Sequence, residues 1–507
     1  MSAHTIRSRH ARLLTVGVVA AAAVVVPTLS NVVEVQAAPS TSLVISEFRV
    51  RGPLGANDEF IEIQNISGGD LTVAAASGTG LGIAASDGVT RCSIPNGTVI
   101  PRHGHYLCTN SVGYSLSNYA AGSGSTATGD ATYAVDIADN AGIALFDNHV
   151  GGGSYVLANR IDAVGSSSEA NTLYKEGTGY PALTPFSIDY SFYRNLTSGT
   201  IASIPVDTAT PGLSEDTDDN ATDFVFVDTN GTSAGAGQRL GTPGPENLSS
   251  PVVNGNLAVS LLDACVSENS PPNAVRVLTS DPANNSTFGT LDLRRTITNN
   301  TGAAVTRLRI RIADSRTFPA PNGTADLRDR TSTDSLVTVD RAPCGGTTSD
   351  ITVQGTTLEQ PPSQPNGSAF NSSLSVSDIS LATPLADGAS IDVSMLFGIQ
   401  QTGNNAVRIV VESLGGATAA PAVSCLAMAD GNNMFNMCTV NEAPVAVDDN
   451  YNATEDTALV IDAANGVLNN DTDAEFDTLA VNAPQITGPS HGNLTLNTDG
   501  SFTYTPT

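Results

Sequence analysis

Between Glu442 and Thr507 the chain carries eleven Asp and Glu residues and no Lys or Arg. Hard cations such as Ca²⁺ take roughly six to eight oxygen ligands, and acids clustered in loops supply them. Two clusters are candidates: Asp448-Asp449, and Asn470, Asp471 and Asp473 in a turn. Asp and Asn also build turns through their own backbone bonds, and neither cluster has EF-hand or nonapeptide-repeat spacing. Asp216-Thr-Asp-Asp-Asn220 with Asp223 alternates acids similarly and reads as an ordinary loop. His103-Gly-His105 could chelate a transition metal from one face of a strand, since residues i and i+2 share a face. No third ligand lies nearby, so the two imidazoles are expected to be ordinary polar side chains facing water.

Six cysteines, Cys92, Cys108, Cys265, Cys344, Cys425 and Cys438, point to disulfides in an exported chain. Proximity along the chain suggests Cys92–Cys108 and Cys425–Cys438, leaving Cys265–Cys344. The first pair flanks a hairpin turn expected at Pro95-Asn-Gly. No CxxC or Cys-His spacing favours zinc. Catalytic constellations are missing as well: no HExxH, no P-loop, no GxGxxG after a strand, and no GxSxG elbow around the serines that follow Gly165. Paired acids could cleave a glycosidic bond, but a chain without Trp has little to build a sugar-holding cleft.

The elements that must position these residues are strands. Short alternating runs separated by Gly, Asn, Asp and Pro clusters recur throughout, and helical periodicity is almost absent. The expected fold class is all-β: tandem immunoglobulin-like sandwiches after a cleaved signal peptide. Arg7, Arg9 and Arg12 precede an apolar run from Leu13 to Pro27, too short for a membrane span, and Val35-Gln-Ala37 suits cleavage after Ala37. The formal net charge is −28, and losing residues 1–37 makes the chain more acidic still. Such a charge repels nucleic acid and anionic membranes, and favours divalent cations. The expected location is secreted or cell-surface, with no membrane insertion of the mature part.

Four segments are expected: a signal peptide at 1–37, then units at 38–249, 250–440 and 441–507. The first opens with alternation in Leu43–Val50, a turn at Gly52-Pro53…Gly55…Asn57-Asp58, and Phe60-Ile-Glu-Ile. With Asp139-Asn-Ala-Gly-Ile-Ala-Leu-Phe-Asp147, Ile161-Asp-Ala-Val-Gly165, Ser191-Phe-Tyr-Arg194, Asp216…Asp223-Phe224 and Thr242-Pro-Gly-Pro-Glu-Asn247, it resembles the lamin-tail domain over residues 40–249. A Gly/Ser/Ala-rich insertion near Ala121–Ala131 is expected to be a mobile loop. The second unit holds Gly289–Thr298, Val305–Ile312, Ser390–Phe397 and Ala406–Glu412 as strands, in a sandwich of no named family. Leu308, Ile310 and Ile312 share one face of their strand and Arg307, Arg309 and Arg311 the other, which reads as half-buried with a basic exposed face. The third unit, with Ala443-Pro-Val-Ala-Val-Asp-Asp-Asn-Tyr451 and Gly492-Asn-Leu-Thr-Leu…Phe502-Thr-Tyr-Thr-Pro506, resembles the cadherin-like tandem repeat of bacterial surface proteins. The chain is expected to stop inside that repeat.

These resemblances imply a non-enzymatic exported bacterial surface or matrix protein for adhesion or scaffolding, with an extracellular protein or glycan as ligand. They also imply Ca²⁺ held by Asp448, Asp449, Asn470, Asp471 and Asp473 at the joint. Lamin-tail domains also accompany secreted nucleases and phosphatases, so an accessory front of a hydrolase is the main alternative. A passive spacer is the third.

Overall fold

The computed structural model describes residues 40–118, 127–149, 155–182, 188–196, 213–230, 239–341 except 317–324, 344–359, 369–415, 423–429, and most of 446–506. The expected signal segment, residues 121–126, Cys438 and Asp473 lie outside the described residues.

Strand β1 (Leu43–Arg49) pairs antiparallel with β2 (Phe60–Asn65), and the register slips between Ile45 and Glu47. This bulge accounts for the irregular apolar pattern: Leu43 and Ile45 face the core, one residue is skipped, and Phe48 and Val50 resume it. Simple alternation leaves one face of the hairpin wet, yet every residue of both strands is buried. Something covers the second face.

The first unit continues with β3 (Gly80–Ala85), β4 (Thr90–Pro95), β5 (His105–Asn110), β6 (Ala131–Tyr133), β7 (Ile143–Phe146) and β8 (Arg160–Val164). It ends with β9 (Tyr190–Arg194), the single turn α1 (Asn220–Asp223), β10 (Phe224–Asp228) and β11 (Arg239–Leu240). One sheet has the order β11-β10-β9-β1-β2-β5-β6 and the other β8-β7-β3-β4. Ile45, Ile63 and Phe192 of the larger sheet share one core with Ile83, Ile94 and Leu145 of the smaller. Burying each such side chain contributes about 1.5–3 kcal/mol. Phe48 stacks on Phe192 with centroids 5.1 Å apart.

Cys92 and Cys108 are joined, with an S–S distance of 2.05 Å. They do not close a hairpin. The turn at Pro95–Gly97 forms, with Thr98 N donating to Pro95 O at 3.1 Å, but β4 and β5 belong to different sheets. The bridge therefore staples the two layers. Of the expected mobile insertion, Ala127 is buried and Ala131 opens β6, which pairs parallel with β5.

The second unit contributes β12 (Val252–Val253), β13 (Leu257–Leu261), β14 (Ala274–Val277), β15 (Thr290–Asn299), β16 (Val305–Arg316) and β17 (Asp326–Arg330). It adds β18 (Thr357–Glu359), β19 (Ser373–Ser375), β20 (Ser390–Gln401), β21 (Asn404–Gly415) and β22 (Val423–Ala429). One sheet runs β12-β21-β16-β19-β18, with β22 also paired to β21; the other runs β13-β15-β20-β17, with β14 on β15. Leu308, Ile310 and Ile312 pack against Leu293, Ile297 and Phe397, as a half-apolar strand requires. Cys265 is bonded to Cys344.

Toward the C-terminus, β23 (Leu459–Ile461), β24 (Asn493–Leu496) and β25 (Phe502–Thr505) form a sheet in the order β23-β25-β24. The Tyr451 ring meets Phe502 edge-on at 4.8 Å. Among the described residues, no helix is long and apolar enough to cross a membrane.

Candidate functional site

The second face of the opening hairpin is covered by the second sandwich. Its strand β16 lays Arg309 and Arg311, 1% and 4% exposed, over acids of the first unit. The expectation of a basic exposed face at Arg307, Arg309 and Arg311 is thus overturned. The alternation is correct, but the face is polar because it meets carboxylates rather than water. Arg309 pairs with Glu246, and its Nε donates to Glu412 Oε2 at 2.5 Å. Arg311 Nε donates to Glu412 Oε1 at 2.7 Å, and its Nη2 lies 2.8 Å from Glu246 Oε1. Arg309 and Arg307 also reach Glu359 on β18, at 3.4 and 3.7 Å.

Further hydrogen bonds tie these groups to the first unit. Arg311 Nη1 donates to Asn371 Oδ1 at 2.6 Å, and Asn371 Nδ2 donates to Glu47 Oε2 at 3.2 Å. The tail that follows β11 threads between the layers, with Gly244 N donating to Glu47 and Glu246 N to Glu62. Thr242 N donates to Phe370 O, and Phe370 N to Leu240 O. Tyr193 of β9 meets the Phe370 ring at 5.2 Å. Burial raises the pKa of Glu47, and burial together with the nearby Glu47 charge pushes Glu62 well above its ordinary value. The three guanidiniums of Arg307, Arg309 and Arg311 face the carboxylates of Glu246, Glu359 and Glu412. Buried charges persist only when paired in this way.

Both histidines lie in this seam, not at the surface. His103 is 1% exposed, adopts a φ of 60°, and places Nδ1 3.3 Å from Val253 O. His105 stands between Glu246 and Glu62, at 3.3 and 3.8 Å. Burial lowers the pKa of His103 to about 4, and burial with the charges of Arg311 and Arg309 drives His105 well below its ordinary value.

A second polar cluster sits between the two layers of the first sandwich. Arg194, at the end of β9, points inward and donates through Nη2 to both Asp162 oxygens at 2.8 and 2.7 Å. Its Nη1 lies 3.3 Å from Asp216 Oδ1 and 3.2 Å from Asp223 Oδ2. Arg160 pairs with Glu176 Oε1 at 3.1 Å. The acids of the Asp216–Asp223 loop, expected to be ordinary turn formers, are thereby drawn into the interior. Asp219 does cap α1, its side chain accepting from Ala221 N.

The entrance residues of the last unit come together in part. Val447 N donates to Asp471 Oδ1 at 2.8 Å, and Asn470 Nδ2 donates to Asp448 O at 3.5 Å, so the two acidic stretches run side by side. Asp449 and Asn470 line an open depression of about 510 Å³ with Tyr451 and Asp462. Asp448, Asn470, Tyr451 and Asp462 are exposed and Asp449 and Asp471 partly so, while Asp473 lies outside the described residues. Cys425 lies on β22, and its expected partner Cys438 is also outside them.

Sequence reasoning missed Glu47, Glu62, Glu246, Glu359 and Glu412. A usable signal was present: Lys175 is the sole lysine, and arginine is the residue suited to buried, forked carboxylate pairs.

Residues 441–507 match the family described as the bacterial cadherin-like domain. No curated protein and no solved structure matches the chain. A cadherin-like domain is compatible with a role in surface adhesion or structure, and suggests an extracellular or surface location.

Proposed function

We propose that this chain is a non-enzymatic adhesion or scaffolding segment of an exported surface or matrix protein, which presents its loops to an extracellular protein or glycan. The observation that carries the reading is the fusion of two sandwiches through a buried seam next to a cadherin-like repeat. A catalyst keeps its charged groups accessible to substrate; here Arg309, Arg311, Glu246 and Glu412 are spent on one another. Such a seam resists bending between the units, which suits display or adhesion.

In this reading Ca²⁺ fixes the entrance of the last unit through Asp448, Asp449, Asn470, Asp471 and Asp473. Two supports are the match at 441–507 and the side-by-side placement of Val447–Asp448 and Asn470–Asp471. A cation that binds only the folded state raises stability by about 2.7 kcal/mol at a hundredfold excess over Kd. Thermal melting of this unit in millimolar Ca²⁺ against EDTA should show a rise that the combined D448N, D449N and D471N variant loses. An equal rise in that variant removes the entrance site. Glycan and protein arrays test the wider reading: selective binding supports adhesion, and uniform silence reduces the chain to a spacer.

A further inference from the structure

The acid cluster inside the first sandwich holds more carboxyl groups than arginines. Asp162, Glu176 and Asp216 each offer an oxygen, and these atoms all lie within 4.8 Å of one another. Asp218 and Asp223 stand close enough to act on the same groups. Against these carboxylates stand the guanidiniums of Arg160 and Arg194. The interior does not tolerate such an excess without a compensating cation or proton.

One group shows where the compensation belongs. Glu176 is 2% exposed; Oε1 is used by Arg160, and Oε2 receives no donor from outside the cluster, where the group meets the Asp162 carboxyl. Two buried carboxyl groups held against each other need a cation or a proton between them, and both belong to one triad with Asp216. Three of the other acids accept from donors on their outer sides. Asp162 accepts from Ile45 N and Ala163 N, Asp216 from Ser40 N, and Asp223 from Thr217. Those bonds fix the oxygens in place around the Glu176 carboxyl.

We infer that Asp162, Glu176 and Asp216 bind one divalent cation, of the Ca²⁺ class, inside the first sandwich. The donors are all carboxylate oxygens with no nitrogen or sulfur, which selects a hard cation over zinc or copper. The ligands come from three distant stretches: strand β8, the segment after the 3₁₀ turn at Thr172–Tyr174, and the loop before α1. A cation there pins the Asp216 loop to both layers. This site goes beyond the adhesive reading and is separate from the entrance of the last unit.

The test uses the whole chain, stripped with EDTA and titrated with CaCl₂ in a calorimeter. Binding should persist in the D448N, D449N and D471N variant. It should weaken roughly tenfold or more in Glu176→Gln, which removes a ligand charge but still accepts from Arg160. Unchanged affinity and stoichiometry in a folded Glu176→Gln protein overturn the site. Should that variant fail to fold, wild-type crystals grown in CaCl₂ decide: an anomalous peak among the three carboxylates upholds it, and its absence there rejects it. Neither result bears on the entrance residues, whose variants are read separately.

Discussion

Glu59 shows how a single side chain couples this fold to pH. It is fully buried immediately before β2, where Oε2 accepts from Asn110 Nδ2 at 2.8 Å and Oε1 accepts from Ile137 N at 2.7 Å. Burial, against those hydrogen bonds and helped by Asp136, raises its pKa from 4.5 to about 8. Between those values the folded state holds a proton that the unfolded chain has released, so stability falls as pH rises. Its contribution is complete below about pH 4.5 and lost above about pH 8. Glu59→Gln mimics the protonated form. Its advantage in melting temperature over wild type should be absent near pH 4 and grow toward pH 8; a constant difference rejects the assignment. None of this was legible from Asp58-Glu59-Phe60, because a hairpin sequence shows alternation but not what covers its polar face.

At the scale of the element, the strand Val305–Arg316 was readable and its environment was not. Its period-two pattern placed Leu308, Ile310 and Ile312 in the core correctly. The arginines between them look the same whether they meet water or acids, since only tertiary pairing distinguishes the two cases. Removing one partner of a buried pair costs about 3–5 kcal/mol, because the others are left uncompensated. Arg309→Met should therefore lower the free energy of chemical denaturation by several times the effect of Arg341→Met, whose pair with Asp392 is half exposed. Similar losses for both would mean the seam is wet. The hairpin Leu43–Asn65 gives the complementary lesson: its existence and turn were evident, while the bulge at Ser46 was hidden in a pattern that fits strict alternation almost as well. Cys92 and Cys108 were paired correctly from proximity, yet for the wrong reason, because their strands lie in opposite layers.

At the scale of the molecule, the two covalent staples differ in reach. Cys265–Cys344 spans 79 residues and Cys92–Cys108 spans 16. In the chain-entropy account, the longer loop stabilises by about 4–5 kcal/mol and the shorter by about 3 kcal/mol. Replacing each pair by alanines should lower the denaturation midpoint more for the Cys265–Cys344 pair, provided the unfolded chains are similarly open; the reverse order assigns the larger role to the staple between layers. The all-β class and the succession of strands followed from turn residues and alternation. The way the first two sandwiches share a face did not, because it depends on charges more than a hundred residues apart, such as those of Glu47 and Arg311. That shared face has an evolutionary consequence. A domain can be recombined singly when its own surface is ready for solvent. Here a cut near residue 249 strands Glu47, Glu62 and Glu246 on one fragment and three arginines on the other. The pair must be inherited together or redesigned together.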